Sequence, residues 1–548
     1  MESQRSFLFI ALLVVTYLLY SQWQADNAPV QPQQSVENQA ANLPTDTSAD
    51  DSFVPQATQT SPITPAKTVS TAKLISVKTD VLDLKISTLG GDVVEVTLLD
   101  YETEQGSGVP FTIMQNGKFK YIAQSGLIGA QGTDKVENNK NVRAIFESAQ
   151  SNYELTNEES LVVDLNYTAE SGIRYIKRFT FTPGSYKVDV DYIVNNATAN
   201  AITVQMYAQL QQSSLVDKSS ALIPTYRGAA YATAEERYEK YDFEDIKDAN
   251  LNESTQGGWV AMLQHYFVSA WVPSASDLNQ LYTKSTSTQD AIIGFLAPSK
   301  VIEAGTQGTA SATFYVGPKL QDDLAAIADG LELTVDFGFL FMISQPLHWL
   351  LIQIQALVIN WGLAIIIITI IVKGVMYPLT KAQYTSMAKM RELQPKLNSL
   401  KERYGNDRQK MSQAMMELYR KEKVNPAGGC LPLLFQMPIF LALYWVFLES
   451  VELRHATFGL WLTDLSSKDP YYILPILMGV SMFIMQKMQP MTIQDPMQQK
   501  IMQYMPVMFT IFFFWFPSGL VLYWLVSNVI SIIQMKMIFS GMEKAKQK

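Results

Sequence analysis

Residues 368–379 read ITIIVKGVMYPL, and Lys373 is the single charge in a run otherwise soluble in hydrocarbon. A charged side chain at the bilayer centre costs roughly 3 kcal/mol or more, so an ionisable residue there is a functional suspect. Whether this stretch crosses a membrane decides the fold class of the whole chain.

The distribution of charge points to a membrane. Between Gln24 and Leu340, 21 Lys and Arg stand against 39 Asp and Glu, a balance of −18, whereas Lys373 to Lys423 carries 12 against 5, a balance of +7. Apolar runs near 7–23, 349–379, 430–448, 471–485 and from 501 through 525 surround these segments. All but the fourth reach the roughly 17 residues that a helical span needs, and the last is long enough for two spans broken at Phe516-Pro517-Ser518-Gly519. Basic segments stay on the cytoplasmic side. With Arg5 and the 373–423 segment inside, parity predicts six spans, both termini cytoplasmic and the acidic region outside. The only cysteine is Cys430, so no intramolecular disulfide staples that region.

The chain divides accordingly. Residues 1–23 have the charged start and apolar core of a signal sequence without a nearby small-residue cleavage site, and read as a transmembrane signal-anchor. Residues 24–72 are rich in Pro, Gln, Ser, Thr and Asp and read as a flexible linker. Residues 73–340 alternate polar and apolar in short runs, with Pro183-Gly184-Ser185 between two of them as in a hairpin. That pattern, without a βαβ rhythm, predicts an antiparallel β-sandwich followed by a short helical stretch around 322–333.

Residues 341–359 have Ser344 and Pro346 at a helix start and Leu347, Leu350, Leu351, Ile354, Leu357 and Val358 at helical spacing. Two readings compete here. Residues 349–372 form an uncharged span with Lys373 as its cytoplasmic anchor, or 341–359 lies along the interface and the second span is 360–380. Gln353, Gln355, Trp361 and Pro378 favour the second. It sets Lys373 about 18 Å along the helix from Trp361. Residues 381–424 repeat Leu393, Leu397, Leu400 and Tyr404, then Met411, Met415 and Leu418, about a Gly405-Asn406-Asp407 turn, predicting a cytoplasmic helical hairpin with Pro395 kinking or restarting its first arm. Spans three to six fill 425–540, and 541–548 is a basic tail.

Enzyme signatures are not found: the sequence holds no GxxxxGK[ST], HExxH or GxSxG. His265, His348 and His455 lie far apart, and His265 in a strand-like run reads as a packed or edge residue. No cofactor, metal site or small-molecule substrate is expected. Thr369, Lys373 and Tyr377 follow at i, i+4 and i+8, which places them on one helix face. Gln436, Gln486, Gln503, Ser527 and Asn528 complete a sparse intramembrane polar set, while no acidic residue falls in the core of a span. Of 24 methionines, 19 lie between Met376 and Met542, which suits core filling and equally a surface that accepts many apolar sequences.

The stretches NWGLAIIIITIIVKGVMYPLTKAQYTSMAKM, EKVNPAGGCLPLLFQMPIFLALYW, DPYYILPILMG, DPMQQKIM and FPSGLVLYW closely resemble the YidC/Oxa family, Gram-negative type. The resemblance covers essentially the whole chain and is most specific in 361–540. It implies a polytopic α-helical membrane protein with a five-helix core, a large periplasmic β-supersandwich and a cytoplasmic helical hairpin in the bacterial inner membrane. It further implies a non-enzymatic insertase and chaperone working alone or with the Sec translocon. Its implied partners are nascent membrane protein clients, the ribosome, Sec translocon components and the lipid bilayer. A hydrophilic groove would hold Lys373, Thr369, Tyr377, Tyr523 and Trp524, with Gln436, Met437 and Pro438 at the client-contact face.

Two residues depart from the family's pattern: Lys373 stands where Arg is usual, and Trp524 where many members have Tyr. An ammonium is a point charge that can lose its proton when buried, whereas a guanidinium forks onto carboxylates. A small-molecule transporter and a membrane-tethered periplasmic carbohydrate-active enzyme are the alternative readings. The first lacks an internal repeat, and the second rests on the sandwich alone.

Overall fold

A computed structural model describes residues 53–55, 72–137, 140–156, 158–215, 225–404, 407–422, 431–489 and 496–547. The expected signal-anchor at 1–23, Cys430 and most of the linker lie outside these residues.

Strict alternation builds the β-rich half. In the hairpin of Arg174–Phe181 and Lys187–Asn195, every second residue is buried, and the register runs from Phe181 opposite Val188 to Arg174 opposite Asn195. Gly184 supplies the left-handed turn residue, with φ of 68°. Such strands assemble into an eleven-stranded and a nine-stranded sheet, which share one hydrophobic core. The indole of Trp271 in one sheet donates to the Gln209 carbonyl in the other at 3.2 Å. The expected antiparallel sandwich needs one correction: Leu74–Lys78 pairs in parallel with Asn152–Glu154. The expected helical stretch is split into a helix, Gln321–Ile327, and a 3₁₀ turn, Leu331–Thr334.

The same alternation drives a lysine inward. Lys177 is 1% exposed and donates to the carbonyls of Gly90 and Ser125 at 3.0 and 3.2 Å, with its ammonium 5.3 Å from the ring centres of Phe179 and Tyr192. Beside it, the buried Arg143 grips both oxygens of Asp92 and reaches Asp134 Oδ2 at 3.1 Å. Inside the linker, Phe53–Pro55 is seated on the sandwich rather than free, and Val54 is only 2% exposed.

Among the described residues the helices are α1 (Phe243–Asp248), α2 (Gln321–Ile327), α3 (Phe341–Val358), α4 (Trp361–Val375), α5 (Tyr377–Tyr404), α6 (Arg408–Lys421), α7 (Leu431–Glu449), α8 (Ile473–Met488), α9 (Pro496–Phe512) and α10 (Ser518–Gln547). Pro395 neither stops nor restarts α5, which is a single helix, and α10 continues through the expected tail to Gln547. Lys396 of α5 pairs with Glu422 just past α6 at 2.6 Å.

Among the described residues, Gly338–Val358 and Ser518–Lys544 are long and apolar enough to cross a membrane, and α4 with α5 would make a third such unit, bent by 65°. Leu351, Ile365, Ile368, Leu443, Phe447, Met478 and Val521 form the helical core. Ile370, Val375, Ile476, Leu477, Val480, Ile484, Val507, Met508 and Ile511 are exposed. So much outward apolar surface suits lipid rather than water.

Burial pulls the Lys177 ammonium down to about 7, below its unfolded value near 10.4. The folded domain therefore favours the neutral amine, so the penalty is complete below about pH 7 and fades as the pH rises toward 10. We expect the urea midpoint of the β domain, read by Trp259 and Trp271 fluorescence, to rise from pH 7 to pH 9, with a slope of at most about 1.4 kcal/mol per pH unit. Lys177→Met should flatten it, and an equal slope in both proteins would assign the effect elsewhere.

Candidate functional site

The site begins at a helix break. Ile359, with φ of 54°, ends α3, and Asn360 caps α4 by accepting from the Leu363 amide at 2.9 Å. The Asn360 amide donates to the Phe458 carbonyl at 3.1 Å. Gly362 allows close approach here, since a Cβ would overlap the Phe458 ring. Along α4, Ile365, Ile368, Thr369, Val372 and Lys373 are buried, while Leu363, Ile370, Ile371 and Val375 are exposed. Helical periodicity thus places Lys373 at the end of the buried stripe.

Lys373 is 9% exposed. Its ammonium donates to Ser531 Oγ at 3.1 Å and to Gln436 Oε1 at 3.3 Å. The Gln436 amide in turn donates to the Tyr523 hydroxyl at 3.0 Å, and Gln534 Nε2 donates to the Lys373 carbonyl at 3.4 Å. Side chains of α7 and α10 therefore converge on one cation of α4. Both acceptors of its ammonium are neutral, and the salt bridges among the described residues do not include it.

The structure brings together Lys373, Gln436 and Tyr523 of the expected set. Thr369 is buried, but its hydroxyl is bound to the Ile365 carbonyl of its own helix at 2.6 Å. Tyr377 does not share the face of Lys373: α4 ends at Val375, the chain bends by 65°, and Tyr377 starts α5 as an exposed residue. Trp524 packs on Phe440 and Phe513, with ring centres 4.5 and 5.0 Å away, so it belongs to an aromatic cluster. Met437 is exposed and Pro438 half-buried on α7.

Ser531 and Gln534 escaped the sequence reading, which stopped at Asn528. The signal was available, because Trp524, Ser527 or Asn528, Ser531 and Gln534 repeat every three or four residues along α10. Asn528 itself donates to Ser481 of α8 at 3.0 Å.

At the other end of α7, the sandwich meets the helices. His265 contacts the Leu448 carbonyl at 2.9 Å, and burial pulls its imidazole down to about 4. The neutral ring donates through Nε2 to a carbonyl that the helix end leaves free. Arg454, just beyond α7, donates to the Glu102 carbonyl at 2.5 Å with its guanidinium over Phe111 and Phe267. Gln105 donates to the His455 carbonyl at 3.2 Å. His265 is a structural contact between the two halves.

Apolar helices gathered around a buried cation beneath a large β domain define a membrane protein with a polar site buried between its helices. The family described as YidC periplasmic domain matches residues 74–350, and the family described as 60Kd inner membrane protein matches 353–546. Proteins named membrane protein insertase YidC from Shewanella sp. (strain MR-7) and Shewanella piezotolerans are each 55% identical over 547 residues, covering 99% of this chain and 99% of the relative. A crystal structure titled as an active YidC insertase with its first transmembrane domain resolved covers 85% of this chain and 92% of its own, at 20% identity and a TM-score of 0.37. The chain belongs to the YidC family of inner-membrane proteins with a periplasmic domain.

Removing both oxygens from Lys373 leaves a buried cation without partners. We expect Gln436→Leu with Ser531→Ala to lower the melting temperature in detergent, each change costing about 1–3 kcal/mol. Adding Lys373→Met should recover most of the loss. No recovery would show that the two residues pack rather than solvate.

Proposed function

We propose that the protein inserts and folds nascent integral membrane proteins in the inner membrane, without nucleotide hydrolysis and not as an enzyme. The observation that carries this is Lys373, a buried cation held by neutral oxygens from two other helices. Coulomb attraction strengthens as the local dielectric falls, so this ammonium attracts the acidic groups of a client's short extracytoplasmic segment. Relatives that carry the insertase name align over 99% of the chain at 55% identity, which supports this reading over a transporter or a tethered carbohydrate enzyme.

In the proposed course, Lys373 with Ser531 and Tyr523 lines a hydrophilic groove that receives the polar segment. The client's apolar helix leaves along the third and fifth spans, in contact with Gln436, Met437 and Pro438. Transfer of about 20 apolar residues into lipid supplies the driving force. Six spans with both termini cytoplasmic and 381–424 as a basic cytoplasmic hairpin suit this course. A positive surface there complements ribosomal RNA, and the protein works alone or with the Sec translocon.

The test is membrane insertion of a small client with an acidic translocated segment, in depleted cells or vesicles. Lys373→Ala and Lys373→Glu should reduce insertion about tenfold or more, the equivalent of roughly 1.4 kcal/mol, and Lys373→Arg should retain it. Equal insertion by all four proteins at equal abundance would remove the electrostatic role.

A further inference from the structure

The seat of Phe53–Pro55 is a built site. Val54 enters a pocket of Ile128 and Tyr207, rimmed by Val136 and Leu296. The Phe53 ring lies edge-on to Tyr282 at 6.4 Å, with the Lys284 ammonium 4.5 Å from its centre. Its carbonyl accepts from Gln209 Nε2 at 2.8 Å. Gln209 is fully buried and held from both sides: its Oε1 accepts from the Tyr282 hydroxyl at 2.6 Å, and its Nε2 also donates to Gln124 Oε1 at 2.9 Å. Gln124 is fixed by Asp92 at 2.8 Å, which the buried Arg143 grips.

This relay aims one amide hydrogen at a position where an acceptor must sit, since an unmet buried donor costs about 1–3 kcal/mol. Pro55, also buried, brings no N–H that needs a partner. The site therefore reads a backbone carbonyl, an aliphatic side chain, an aromatic ring beneath a cation and an imino acid. None of these demands is unique to the chain's own segment.

We propose that this groove is a binding site for extended aromatic–aliphatic–proline peptide segments, occupied in cis by Phe53–Pro55 and exchangeable with a like segment of a client outside the membrane. The client as occupant rests on the insertase reading, whereas peptide binding does not.

The experiment uses the full chain in detergent and a labelled peptide of sequence DSFVPQATQ, residues 51–59. Val54→Asp expels the chain's own segment, because a carboxylate cannot sit between Ile128 and Tyr207 unpaired. Saturable binding to Val54→Asp is expected, at least about tenfold weaker in wild type where the site is filled, and weakened by adding Lys284→Glu. No binding to a Val54→Asp protein with retained circular dichroism, or equal binding by both proteins, would overturn the proposal. A photo-crosslinker at position 284 should capture a client during insertion, more strongly in Val54→Asp. Absence of capture from a protein that inserts that client normally would overturn the client as occupant and leave the insertase reading intact.

Discussion

A cation buried among helices without a carboxylate constrains everything around it. Removing an ammonium from water costs several kcal/mol, and two hydrogen bonds to neutral oxygens return about 1–3 kcal/mol each. The position is held against its own preference for water, so the surrounding helices must be fixed well enough to keep Ser531 and Gln436 in place. Strain of this kind persists where packing over-determines it. The helical core does so from three directions, with Ile368 and Val372 of α4, Leu443 and Phe447 of α7, and Val521 of α10 in one cluster.

The second fixed point is the outer end of α7. His265, Arg454 and Gln105 tie Leu448 and the segment after it to the rigid sandwich. One helix thus carries Gln436 at the cation and meets the β domain at its other end. The sandwich need not touch a client to set the axis along which a client would move. Where Ser518 begins α10, its amide and hydroxyl bind the carbonyls of Ser467 and Asp464 at 2.7 and 2.8 Å, so the start of the last helix is pinned to the same outer layer.

Much of this was legible in residues alone, and the exceptions have physical causes. Period-two alternation identified the sandwich strands because one face of each is buried, and the sparse polar set identified Lys373 and Gln436, whereas Tyr523 came only with the family resemblance. The i, i+4, i+8 argument failed for Tyr377 because helical spacing assumes a continuous helix, and Met376 breaks it. Linker composition concealed Phe53–Pro55, since three apolar residues cannot alter a fifty-residue average yet are enough to fill a pocket. Parallel pairing of Leu74–Lys78 with Asn152–Glu154 joins segments far apart in sequence, and no local pattern records that. Ser531 was overlooked because a hydroxyl in an apolar helix bonds its own backbone more often than a cation.

Helix length gives Lys373 its leverage. α4 has 15 residues and α8 has 16, which at 1.5 Å per residue is about 22 and 24 Å, short of the roughly 30 Å hydrocarbon core. On the proposed insertase reading both helices are spans, and short spans are accommodated by thinning the surrounding bilayer or by drawing flanking polar residues inward. On the proposed insertase reading, both outcomes shorten the apolar path between the cytoplasm and the outer layer anchored by Asp464 and Ser518. A polar client segment drawn to Lys373 has then already passed most of that path, and the remaining barrier is lowered by geometry rather than by an energy source.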